Sequence, residues 1–242
     1  SLVNQVLAHW REPDSGIWEV RSEPQRMTYS NVLSWLALDR AITLGRIDGR
    51  VAPYDLWERT RDEIRGEVMR YGIDPEAGVF TQAFGSTALD ASTLSFPIRH
   101  FIDASHPVMS RTIDAIMREL TIDGLVARYK VSDDGDNIDG LAGDEGHFVL
   151  TSCWLIDCLI ARGDICRARE LLEQLLGRAN DLGLYAEQID PHTGAHLGNF
   201  PQAFSHLGII NSILNYARAI GEFDPLPGLE PAAQPTGAVN DD

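Results

Sequence analysis

Cys153-Trp154-Leu155-Ile156-Asp157-Cys158-Leu159-Ile160-Ala161-Arg162-Gly163-Asp164-Ile165-Cys166-Arg167-Ala168-Arg169-Glu170-Leu171-Leu172 reads as two helices meeting at a glycine. The apolar residues cover more than the narrow seam of a coiled coil, so each helix packs against several neighbours. Gly163 is the residue type that closes a helix. The spacing predicts helices over 146–162 and 164–181, joined as a hairpin.

The same period runs outward in both directions. A first helix covers 1–11 and ends before Pro13. A second spans 25–45, with Val32, Leu33, Trp35, Leu36, Leu38, Ala41 and Ile42 apolar, and is stopped by Gly45 and Gly49. Pro53 suits the first turn of a third helix, 53–70, with Leu56, Thr60, Ile64 and Val68 on one face. Further helices are expected over 90–103, 106–120 and 201–220. Only short pieces read as extended, at Val79–Gln82, Leu125–Tyr129 and Leu184–Gln188. About eight helices joined in pairs, with almost no strand, make an all-α architecture of stacked hairpins. The long connections 12–24, 72–89, 130–145 and 184–200 hold many acids and aromatics, and such loops usually carry function. Residues 1–221 form the helical domain, and the Pro, Gly and Ala-rich residues 222–242 are expected to be a disordered tail.

The 242 residues contain 20 Lys plus Arg against 36 Asp plus Glu, a formal net charge of −16. This field repels polyanions and excludes nucleic acid as a partner. Three cysteines do not build a disulfide framework, and Cys153 and Cys158 read as buried core thiols. No apolar run approaches the roughly 20 residues that cross a bilayer, so no membrane partner is expected. Ser1-Leu2-Val3-Asn4 lacks the features of a signal peptide. A helical pattern already running at Leu2 suggests a piece of a longer chain.

Two loops hold candidate chemistry. In Ile17-Trp18-Glu19 an acid follows an indole, which would desolvate the carboxyl and suit it to donate a proton. In Ala186-Glu187-Gln188-Ile189-Asp190 an acid stands in a short apolar segment before a Pro/Gly turn, and Gln188 could orient a hydroxyl or a water. Two such acids are the minimum equipment of a glycoside hydrolase. On spacing alone, a solvated loop acid beside a core Trp explains the first loop better, and a strand-end acid with a helix-cap or turn role explains the second better.

Six segments in order resemble the catalytic domain of glycoside hydrolase family 15, which includes glucoamylases and bacterial trehalases. They are Asp14–Arg21, Thr28–Ala41, Gly124–Tyr129, Gly143–Phe148, Ala186–Asp190 and Gly198–Leu207, and the likeness extends over about residues 1–221. The resemblance implies an (α/α)6 toroid, here incomplete on its N-terminal side, with the active site in loops at one end. It implies an inverting, exo-acting α-glucosidase of the glucoamylase type, with α,α-trehalase as the alternative and a non-catalytic glucan-binding module as a third reading. Retention of both acids favours an enzyme. By position, Glu19 matches the general acid and Glu187 the general base. Trp18 and Phe204 match the lining of the glucose pocket, and Arg128 matches an arginine that binds that glucose. Gln188 and Glu145 are further substrate-binding candidates. The implied substrate is an α-glucan oligosaccharide or trehalose, with no metal or other cofactor. A homo-oligomer or a preceding N-terminal region is the expected partner, and a bacterial cytoplasm the expected location. Val20 stands where fungal glucoamylases carry a second acid.

Other chemistries fit less well. In Asp133–Glu145, Asp134, Asp136 and Glu145 suit an EF-hand register, but Ile138 and Asp139 spoil it. Glu145 could instead serve the dipole of the helix that follows it. His192 and His196 are separated by a Thr-Gly turn and share no helix face, which argues against zinc. His206 reads as a core or supporting histidine. No G-x-S-x-G elbow accompanies Ser205-His206, and the glycines near 140 follow no strand of a nucleotide-binding unit.

Overall fold

A computed structural model describes residues 2–130 and 145–222. The expected tail from residue 223 and the acidic loop up to residue 144, with its calcium reading, lie outside the described residues. The α-helices are α1 (Leu2–His9), α2 (Thr28–Ile47), α3 (Tyr54–Tyr71), α4 (Ser95–Ile98), α5 (Pro107–Glu119), α6 (Val149–Arg162), α7 (Ile165–Leu176) and α8 (Ala203–Ala219). None is long and apolar enough to cross a membrane.

The α6–α7 hairpin has the predicted hinge. Gly163 adopts φ +90° and its N–H bonds the carbonyls of Leu159 and Ile160, a conformation glycine reaches without a Cβ clash. Helix α6 is the centre of the molecule, buried on nearly all sides at Val149, Cys153, Leu155, Ile156, Cys158 and Leu159. It packs against α4, α7 and α8, while α2 packs on α1 and α3. Cys153 and Cys158 are buried free thiols, and Cys166 is an exposed one.

The structure departs from the sequence reading in three places. The helix expected over 90–103 is a 3-10 turn, Ala91–Leu94, followed by the single turn α4. His100, at φ +61°, breaks it. Helix α7 stops at Leu176, where Asn180 takes over, its side-chain oxygen accepting from the N–H groups of Leu182 and Leu184.

The third departure is a five-stranded antiparallel sheet of two-residue strands: β1 (Thr121–Ile122), β2 (Leu125–Val126), β3 (His147–Phe148), β4 (Gln188–Ile189) and β5 (His196–Leu197). Residues 147 and 148, expected in a helix, pair with Ile189 and Gln188. The sheet is bolted to α6. Val126 N–H donates to Ser152 Oγ at 3.0 Å, and Thr151 Oγ donates to Val126 O at 2.7 Å.

Candidate active site

Loop 14–20 is built as a rigid turn. Asp14 Oδ1 accepts from Gly16 N–H at 2.6 Å and from Ser30 Oγ at 2.8 Å. Gly16 sits at φ +67°, with Met27 packed where a Cβ would point. Val20 is buried beside Met27 and Ala83. Trp18 is half-buried between these anchors, and Glu19 is exposed, at φ +53°.

This arrangement corrects one expectation. The indole does not enclose the Glu19 carboxyl. Its polar edge turns instead to Asp90, and Nε1–H lies 3.0 Å from both carboxylate oxygens. Asp90 is the desolvated acid here. Burial pushes its carboxyl up, against hydrogen bonds from Ser92, Trp18 and Gln82 that pull it down.

Arg128 follows β2. Its guanidinium lies about 5 Å from the ring centres of Trp18, Tyr129 and Phe148. Its Nε donates to Glu145 Oε2 at 3.2 Å, and its Nη2 to Glu145 Oε1. Glu145 therefore does not cap a helix. Helix α6 begins at Val149, with Phe148 at its N-cap, and Glu145 holds the arginine instead.

Glu187 enters just before β4. Its backbone N–H donates to Asn199 O at 2.9 Å, and its Oε2 accepts from Asn199 N–H at 3.2 Å and Nδ2 at 3.0 Å. Gly198, at φ +73°, makes room for it, since a Cβ there would lie 2.7 Å from Glu187 Oε2. Ser205 Oγ pins Ala186 O at 2.7 Å, so the first turn of α8 fixes the strand that carries Glu187.

Trp18, Glu19, Arg128, Glu187 and Phe204 line one open cavity of about 520 Å³. Phe204 is 64% exposed, at the edge. Gln188 and Glu145 do not line it. The Gln188 side chain lies over Gly146 in the sheet, and Glu145 faces a separate cavity of about 340 Å³ with His147, Asp190 and His192. Arg99, Tyr29 and Gln202 also line the first cavity. Arg99 Nη2 donates to Tyr29 Oη at 3.0 Å. Burial raises the Tyr29 phenol against the pull of Arg99. The sequence reading missed Arg99 and Asp90, because both lie in a stretch whose pattern reads as ordinary helix.

His206 and His196 are tied to backbone carbonyls. His206 Nδ1 meets Gln202 O at 2.8 Å, and His196 Nε2 meets Arg178 O at 2.8 Å. Among the described residues no group of three or more His, Cys, Asp or Glu side chains is arranged to hold a metal. The cavity thus combines two carboxylates, two guanidiniums and aromatic walls. That set can grip a neutral polyol, donate a proton and accept one.

The profile of Glycosyl hydrolases family 15 matches residues 1–214. The chain is 46% identical over 233 residues to a trehalase of Mycobacterium tuberculosis, covering 96% of this chain and 34% of that protein. It is 47% identical over 201 residues to a trehalase of Thermoplasma acidophilum, covering 83% and 34%. It therefore spans about a third of the length of these relatives. Among solved structures it superimposes on a wild-type glycosidase with TM-score 0.73 and 22% identity, over 92% of this chain and 59% of that one. A glucoamylase from Saccharomycopsis fibuligera gives 0.72 and 10%, over 91% and 61%. The described fold thus corresponds to part of a helical toroid.

Proposed function

The chain belongs to glycoside hydrolase family 15, and from that premise we propose that it carries the two catalytic carboxyls of an inverting α,α-trehalase. The sequence alone put a glucoamylase-like exo-α-glucosidase first and trehalase second. The relatives at 46% and 47% identity, both trehalases, favour the reverse order. The observation that carries the reading is that Glu19 and Glu187 open into the same cavity, beside Trp18 and Arg128.

In this reading a glucosyl ring of trehalose lies against Trp18, its hydroxyls gripped by Arg128 and Arg99. Glu19 gives its proton to the bridging oxygen as the bond from that oxygen to C1 breaks. Glu187 takes a proton from a water that attacks C1 from the other face. Asn199 occupies Glu187 Oε2, which leaves Oε1 to face the water. One glucose leaves with its anomeric configuration inverted and the other with it kept, and bulk water returns the protons. Inversion needs roughly 6.5–9.5 Å between the two carboxyls to admit the water. Positive charge grows on the ring in the transition state, and the two acids favour it. No step calls on a cofactor.

The test is glucose release by the intact protein from trehalose, maltose, isomaltose and soluble starch, with proton NMR of the first anomer formed. Trehalose is expected to be the preferred substrate, giving equal amounts of α- and β-glucose at early times. Preference for maltose or starch would restore the glucoamylase reading. Glucan binding without any release would favour the non-catalytic module.

A further inference from the structure

We propose that Asp90 is a positioning residue for the proton donor, holding Glu19 in place through the Trp18 indole. The proposal rests on the assignment of Glu19 as general acid.

Asp90 is 3% exposed, and a buried carboxyl is costly unless its oxygens are well used. Both oxygens accept from Trp18 Nε1–H. Oδ1 also accepts from Ser92 N–H at 2.7 Å and Oδ2 from Gln82 Nε2 at 3.3 Å. Capping the 3-10 turn at Ser92 needs one oxygen, which a serine or asparagine could supply. The second oxygen serves Trp18 and Gln82.

The consequence reaches the next residue. A non-glycine backbone in the left-handed region is strained by its Cβ, so Glu19 at φ +53° is held there by its neighbours. Val20 is anchored by burial against Met27 and Ala83. On the other side, among the described residues, Asp90 anchors the polar edge of the Trp18 indole. The same indole lies 5.5 Å below the Arg128 guanidinium and 5.8 Å from the Phe148 ring. Tipping the indole would therefore release Glu19 from its backbone conformation and disturb the arginine together.

The test compares Asp90→Asn, Trp18→Phe and the double variant in the intact protein. Two substrates are used: trehalose, whose leaving group needs a proton, and α-glucosyl fluoride, whose leaving group does not. Misplacing a catalytic group by about 1 Å costs on the order of 100-fold. Asp90→Asn is expected to lower kcat on trehalose about 10- to 100-fold while kcat on the fluoride stays within about threefold. Trp18→Phe removes the indole donor together with part of the ring that the glucose lies against, so kcat on trehalose is expected to fall at least as far, and adding Asp90→Asn to it is expected to cost nothing further. It also carries the test should Asp90→Asn not fold. Undiminished trehalose turnover, equal loss on both substrates in Asp90→Asn, or multiplying losses in the double variant would overturn the proposal. Should the wild-type protein release no glucose from trehalose, the functional reading fails separately. Asp90 is then judged by the Trp18 indole N–H in NMR, assigned with Trp18→Phe. Its exchange is expected to quicken about tenfold or more in Asp90→Asn, about 1.4 kcal/mol of lost protection, and unchanged exchange refutes the anchoring.

Discussion

In the proposed mechanism Glu19 hands over a proton, so its replacement by an isosteric amide is the sharpest probe of the site. Glu19→Gln is expected to lower kcat on trehalose by about 100- to 10,000-fold, the usual worth of general acid catalysis. Binding, followed by calorimetry, should persist because the shape is kept. Retained turnover would remove Glu19 from the mechanism. Glu187 is probed through its neighbour. An alanine at Gly198 would bring a Cβ to 2.7 Å from Oε2 at a backbone angle that disfavours any side chain. Gly198→Ala is therefore expected to cut kcat about tenfold with a smaller change in KM, as displacement of the base requires; a pure KM effect would contradict it. Glu19 and Glu187 were legible as candidates, and they line one cavity, because each sits in a local string of residues with its own signature. Asp90 was not, because its partner Trp18 is 72 positions away and no local pattern encodes that pairing. The indole itself misled. Its place before Glu19 suggested desolvation of that acid, whereas the ring edge solvates another one.

Helices are legible where their period repeats, and α6 and α7 show this, since two helices of 14 and 12 residues separated by a glycine admit few other readings. Two-residue strands have no period to read. The sheet arises because the chain segments around the cavity must satisfy their backbone groups somewhere; the strands pair with one another, and α6 adds side-chain partners. Ser152 is the clearest case. Its Oγ accepts from Val126 N–H and donates to Phe148 O at 2.8 Å, joining β2, β3 and the first turn of α6. Ser152→Ala would bury the Val126 N–H without its partner, at a cost of about 1–3 kcal/mol. A Tm fall of about 2–10 °C is expected for a chain of this size. Arg128 lies two residues beyond Val126, so KM for trehalose should rise in the same variant. A Tm fall with unchanged KM would separate the sheet from the substrate grip.

Across the whole molecule two buried titrating groups pull against each other. Burial pushes the His147 imidazole down to about 4, helped by nearby His192 and opposed by Asp190. Among the described residues neither ring nitrogen has a hydrogen-bond partner. Its folded value lies below its ordinary 6.5, so the unfolded chain binds the extra proton, and stability is lost as pH falls from about 6.5 to 4. Burial raises the Asp157 carboxyl to about 6, against hydrogen bonds from Asn215 and Ser212. Its folded value lies above its ordinary 3.8, so the folded chain binds the extra proton, and stability is lost as pH rises from about 3.8 to 6. The two slopes have opposite signs over nearly the same window and largely cancel. Asp103 and Asp190, held low mainly by Ser105 and Thr193, add an acid weakness common to every variant. Asp157→Asn keeps the shape and removes one slope. It is expected to raise Tm at pH 7 to 8 and to make Tm fall more steeply than wild type between pH 6.5 and 4. His147→Leu should do the reverse, flattening the acid side and leaving a decline toward pH 6. The double variant should recover a wild-type-like slope across this window, because the cancelling pair is gone together. Thermal melts at half-unit pH steps read all four proteins, and parallel curves would show that neither burial governs the pH response.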